Sequence, residues 1–154
     1  MAGRKEEGRM GGLADRELCA EVLVYVRAFA RRPLDIPEDE DLFRRLSIDG
    51  DDADEFLEPF AERFGVDMSA YRWCFHHGEE GVNPGAVFFK PPDQRVERIP
   101  ITLDILVEAA RSGRWPVAYP GRRLPKVRWD SWISILIILA PGLALLLWMA
   151  LAYV

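Results

Sequence analysis

Apolar residues recur every three or four positions in three stretches of the chain. Leu18, Val22, Tyr25, Val26 and Phe29 share one face of a predicted helix that starts at Asp15 and stops at Arg31, Arg32 and Pro33. Glu21 and Arg27 interrupt its apolar run, so it reads as a core helix. Ala53, Phe56, Leu57, Phe60 and Phe64 form a second face, with Asp52 as N-cap, Glu55 completing a capping box and Gly65 as left-handed C-cap. Pro59 removes a backbone donor inside this helix and predicts a kink. Leu103, Leu106, Val107 and Ala110 form the third face, with Thr102 as N-cap and Gly113 as stop.

The intervening stretches lack that period. Pro33 to Asp49 reads as an irregular connection, pinned by Leu34, Ile36, Leu42, Phe43 and Leu46, with a helical turn over 42–46. Val66 to Tyr71 reads as a turn or short helix. The aromatic run Trp73-Cys-Phe-His-His77 and the triplet Val87-Phe88-Phe89 predict two short strands, paired as a hairpin across the turn GEEGVNPG and closed by Pro91 and Pro92. Trp115, Pro116, Tyr119 and Pro120 make a rigid aromatic exit.

Trp132 to Val154 carries no charge over 23 residues. At about 1.5 Å per residue this reaches roughly 34 Å, enough to cross a hydrocarbon core of about 30 Å. Pro141-Gly142 predicts a kink, which spanning helices tolerate. Trp129 and Trp132 mark one membrane interface and Tyr153 the other. Arg122, Arg123, Lys126 and Arg128 precede the span. They predict a cytoplasmic N-terminal domain and contacts with anionic head groups. The organisation is then a disordered polar N-terminus over 1–12, a helical domain over 13–120 with an insertion at 72–98, a basic linker over 121–131 and a single-pass transmembrane helix over 132–154.

The average composition, 49% hydrophobic with a net charge of −5, conceals these two unlike regions. Thirteen acidic residues lie between Asp35 and Asp67, opposed only by Arg44, Arg45 and Arg63. Overall acidity argues against nucleic-acid binding. Carboxylates at a helix start are favoured by its dipole. The same density also predicts a docking face for a basic partner, made of Asp49, Asp51, Asp52, Asp54, Glu55 and Glu58, with attraction that weakens as salt rises. Two cysteines, Cys19 and Cys74, are too few for a disulfide framework and fit a reducing compartment.

The segment Leu46-Ser-Ile-Asp-Gly-Asp-Asp-Ala-Asp-Glu55 resembles the part of acyl carrier proteins around their Asp-Ser-Leu motif, whose serine opens helix II and carries phosphopantetheine. On that register Asp49 matches the aspartate, Gly50 stands in place of the serine and Asp51 in place of the leucine. The nearby Ser47 lacks the surrounding motif. The runs IDGDDADEFL, FAERFGVD, YRW, GEEGVNP and RIPIT…LVEAARSGRWP…YP resemble, over roughly Leu18 to Pro120, an uncharacterised bacterial acyl-carrier-like family, domain of unknown function 1493. The resemblance implies a mainly α fold: an acyl-carrier-like small helical bundle, here with a short β-hairpin insertion and one C-terminal transmembrane helix.

No enzymatic chemistry stands out. Cys74, His76 and His77 form the one compact set of metal-ligand types. Adjacent histidines on a strand point to opposite faces, and no second Cys/His pair completes a tetrahedral site. From Asp49 the sixth and twelfth positions hold Asp54 and Phe60, which breaks the calcium-loop pattern. No phosphate loop or nucleophile elbow is present. The expectation is therefore no enzyme, no cofactor and no metal. It is a membrane-anchored interaction module lacking the phosphopantetheine serine and docking a basic protein. Two alternatives stay open: an unconventional acyl carrier serving a membrane enzyme, and a small membrane-complex subunit acting through its span. In the last, Ala140, Gly142 and Ala144 allow close helix packing.

Overall fold

The computed structural model describes residues 3–30, 35–37, 39–121 and 127–152. Among these it contains five α-helices and no strand: α1 (Gly3–Ala30), α2 (Leu42–Leu46), α3 (Asp51–Phe64), α4 (Leu103–Ser112) and α5 (Trp129–Ala152). Three 3-10 turns, Trp73–Phe75, Pro84–Val87 and Pro92–Arg95, occupy the connection between α3 and α4.

The core is assembled from the periodic faces. Val22 and Val26 of α1, Leu42 and Phe43 of α2, Ala53, Phe56, Leu57 and Phe60 of α3, and Leu103, Leu106, Val107 and Ala109 of α4 are all buried in one cluster, joined by Ile48, Val66, Ile101 and Trp115. Phe56 lies at its centre. Its ring centroid is 5.0 Å from Phe29, 5.3 Å from Tyr25 and 5.7 Å from Phe43, each pair edge-on. That is the arrangement in which the positive edge of one ring meets the negative face of another. The Tyr25 hydroxyl also donates to the Phe56 carbonyl, tying α1 to α3.

Short-range signals set most helix ends. Asp41 caps α2 by accepting from the Phe43 N–H at 3.1 Å, and Thr102 caps α4 by accepting from the Ile105 N–H at 3.4 Å. Gly65 and Gly113 end α3 and α4 at φ 65° and 67°, a conformation that is strained for residues with a Cβ. Those two ends are then tied together: the Asp67 N–H donates to the Gly113 carbonyl at 2.9 Å, and the Trp115 N–H to the Asp67 carbonyl at 3.0 Å.

Four expectations are corrected. The predicted disordered stretch 1–12 is helical from Gly3 onward, so α1 starts well before Asp15; Arg4, Lys5, Glu6, Glu7 and Arg9 are helix-tolerant residues that outweigh the glycines. Asp52 does not cap α3. The cap is Gly50, one residue precedes Asp52 inside the helix, and no side chain bonds the first turn. The 72–98 insertion is not a hairpin. Cys74, Phe75, His76 and His77 are buried consecutively, which no alternating strand allows, and Pro84, Pro91 and Pro92 withhold ladder donors. Finally, Trp129–Ser131, assigned to the linker, already belong to α5. The helix α3 is continuous through Pro59, which faces solvent. Leu34, Arg122, Arg123, Lys126 and Tyr153 lie outside the described residues.

Because Phe56 meets four other rings, its removal opens a cavity between α1, α2 and α3. Phe56→Ala is expected to lower unfolding free energy by about 3–5 kcal/mol, read as an earlier loss of near-ultraviolet circular dichroism on heating in detergent.

Candidate functional site

The start of α3 is built around Gly50. Its backbone takes φ 51° and ψ −126°, its N–H donates to the Gly78 carbonyl at 3.2 Å, and its carbonyl accepts from Ala53. The Asp49 carboxylate accepts from the Gly78 N–H at 3.0 Å and lies 4.0 Å from Arg98, whose guanidinium pairs with Asp41 at 2.9 Å. Gly78 and Glu80 of the insertion therefore pack against the start of α3. A Cβ on Gly50 would fall 2.3 Å from Cγ of Glu80, and the backbone angles there suit only glycine.

Of the predicted docking residues, Asp51, Asp52, Asp54, Glu55 and Glu58 are all exposed, while Asp49 is held by Gly78 and Arg98. Two depressions flank this helix. One, of about 360 Å³, is lined by Gly50, Asp51, Asp54, Trp73, His77 and Glu80 among others. The other, of about 470 Å³, runs beside Asp54, Glu58 and Glu62 over a floor that includes Leu57, Val66, Met68 and Tyr71. Asp54 lines both; Asp52 and Glu55 line neither. The structure thus adds Glu62, Glu80, Trp73 and Tyr71 to the sequence-derived set. Glu62 was legible, since Asp54, Glu58 and Glu62 are spaced i, i+4, i+8 and form one ridge. Glu80 and Trp73 reach the site only through the fold of the insertion. The Tyr71 hydroxyl is buried at the groove with no hydrogen-bond partner, and burial pushes its pKa up, so it stays protonated.

His76 and Cys74 are held in the interior of the fold. The Ile99 carbonyl can only accept, so His76 Nδ1 carries the proton and donates to it at 2.9 Å. His76 Nε2 then accepts from the Tyr119 hydroxyl at 2.7 Å, and Tyr119 in turn accepts from Trp115 Nε1 at 2.7 Å and from the Arg72 N–H at 3.2 Å. Tyr71 stacks on the His76 ring at 5.2 Å. Burial pushes the His76 pKa down to about 4 and the Cys74 thiol up, so neither is charged near neutrality. No group of three or more His, Cys, Asp or Glu side chains is placed to hold a metal ion among the described residues.

The helix α5 is long and apolar enough to cross a membrane, and none of its most apolar window is buried. Its first turn is clasped by the insertion. Asn83 Nδ2 donates to the Asp130 carboxylate at 3.0 Å, and the Gly85 N–H donates to Ser134 Oγ at 2.9 Å. The one Ser134 proton is shared between Asn83 Oδ1 and the Asp130 carbonyl. A Cβ at Gly85 would stand 2.0 Å from that carbonyl, so only glycine permits the approach. Arg128 forks onto both oxygens of Glu79 and reaches Asp130 at 2.6 Å. Of the predicted membrane-interface residues, Trp129 and Trp132 are exposed at the start of α5, and Arg128 is engaged in this pairing.

A family model described as a protein of unknown function (DUF1493) matches residues 16–117, from within α1 to just past α4, leaving α5 outside it. No curated protein and no solved structure matches the chain.

Gly50→Ser is expected to lose about 1–3 kcal/mol of stability from its positive φ, measured by thermal melting. It should gain no mass when incubated with a phosphopantetheinyl transferase and coenzyme A. A second expectation concerns acid. The pKa of His76 is about 4 in the fold and ordinarily 6.5, so the unfolded chain binds the extra proton between those values. Stability from this group is fully present above pH 6.5 and declines as pH falls towards 4, by about 3 kcal/mol in total. The melting temperature should drop across that window, and the drop attributable to this residue should vanish in His76→Asn.

Proposed function

We propose, taking as premise that this chain belongs to the DUF1493 family of proteins of unknown function, that it is a membrane-anchored, acyl-carrier-like interaction module without enzymatic activity. It docks a basic partner on the acidic face of α3. The observation that carries this reading is the ridge Asp54, Glu58 and Glu62 standing beside an apolar floor of Leu57, Val66 and Met68. A helix with basic residues along one edge and apolar residues along the other fits both features at once. Opposite charge speeds encounter, and the apolar floor retains the partner.

The carrier likeness rests on the order of α1, α3 and α4 and on Asp49-Gly50 at the opening of α3. The function differs because the attachment position has no hydroxyl, cannot take a side chain without strain, and is covered by Glu80. The anchor is α5, placed as a single pass in the bacterial inner membrane. The basic residues Arg122, Arg123, Lys126 and Arg128 before it favour a cytoplasmic domain. Confinement to the bilayer raises the effective concentration of the module near membrane-bound partners.

A synthetic amphipathic helix of lysine and leucine serves as the probe, with a scrambled peptide of equal composition as control. Full-length protein in detergent should bind the amphipathic peptide more tightly than the scrambled one, and more weakly as salt rises. Asp54→Lys combined with Glu58→Lys should reduce binding about tenfold or more, the equivalent of roughly 1.4 kcal/mol. Equal binding of both peptides, or no effect of the reversals, would sink the groove as the docking site.

A further inference from the structure

Outside α5, the large apolar side chains that remain exposed among the described residues are Val24, Val82, Val87, Phe88, Phe89 and Val127. All but Val24 lie in the loop 82–89 or beside the first turn of α5. Val82 and Val87 are each 85% exposed and Phe88 66%, whereas Phe43, Phe56, Phe60 and Phe75 are wholly buried. Two adjacent phenylalanines facing outward on one loop make an unpartnered apolar tip.

We infer that this tip is a second membrane contact, resting in the interfacial layer of the bilayer that α5 crosses. The inference rests on the reading of α5 as a membrane span. Three observations choose lipid over a protein as the occupant. The tip is continuous with the span. Val82, Asn83 and Ala86 line one cleft with Ser134, Ile135 and Ile138, and with Glu79, Glu80 and Asp93 at its polar side, so the loop stands level with the second and third turns of the apolar helix. Its height is also fixed, because Asn83 and Gly85 are bonded to Asp130 and Ser134.

The backbone is suited to that depth as well. In lipid an unpaired N–H is costly, and irregular backbone is tolerated only where its polar groups are satisfied internally. Here the N–H groups of Gly85, Ala86, Phe88 and Phe89 all have partners: Ser134 Oγ, the Asn83 carbonyl and, for the last two, the Gly85 carbonyl, at 2.9–3.0 Å. Pro84 has no N–H to satisfy. Lys90 follows directly and is exposed, placed to extend its ammonium to lipid phosphates.

The experiment uses full-length protein in vesicles of phosphatidylcholine and phosphatidylglycerol, with Cys19 and Cys74 replaced by serine. Single spin labels are placed at Phe88, at Leu143 in the middle of α5 and at Glu58 on α3, and collision with oxygen is compared with collision with a water-soluble nickel chelate. The oxygen-to-nickel ratio should be several-fold higher at 88 and 143 than at 58. A label at 88 that matches 58 while 143 remains lipid-exposed would overturn the loop contact alone. Water exposure at 143 as well would overturn the membrane reading on which it depends.

Discussion

The ring of Phe56 is where α1, α2 and α3 meet, and the direction of the acidic face follows from it. With Phe56 edge-on to Tyr25, Phe29 and Phe43, the rotation of α3 about its own axis is fixed. Ala53, Leu57 and Phe60 must then point inward, and Asp54, Glu58 and Glu62 must stand along one border of the buried face. A helix turned by one residue position, about 100°, would bury a carboxylate, at a cost no surface attraction offsets. The acidic ridge is thus a consequence of core packing, held where it is by rings on the opposite side of the helix.

The periodic part of the fold was readable because its determinants are local. Thr102, Gly65 and Gly113 act within four residues of themselves, and the spacing of the apolar residues in α3 and α4 needs no knowledge of the rest of the chain. The long apolar helix α5 was readable for the same reason. What escaped was set by contacts distant in sequence. Gly50 replaces Asp52 as the α3 cap because Gly78 bonds both Asp49 and Gly50 from the far side of the insertion. The aromatic run at 73–77 reads as a strand by composition, yet His76 is committed to Ile99 and Tyr119 and leaves no backbone pattern of alternation. The absence of a serine at position 50 was plain from sequence. That Glu80 packs against this glycine was not, since nothing local connects a glycine to a glutamate thirty residues later.

Charge is handled differently at the starts of α3 and α5. Around α3 the carboxylates are left exposed in the first turn, where the helix dipole favours them. Beside α5, Arg128 engages Glu79 and Asp130, and the Asp130 side chain is almost fully enclosed. An unpaired carboxylate at the mouth of an apolar helix would hinder entry into lipid, whereas one neutralised by a guanidinium does not. Glu79 and Glu80 lie between the two, lining the depression at α3 and the cleft at α5 alike.

The clasp of Asn83 and Gly85 on Asp130 and Ser134 has a mechanical meaning. A head joined to its anchor by a slack tether swivels freely, and nothing that happens to the anchor is felt above. Here the grip is side-on and involves two successive turns of the rod. Twisting or tilting that rod would drag the head with it, as a key turns a lock barrel.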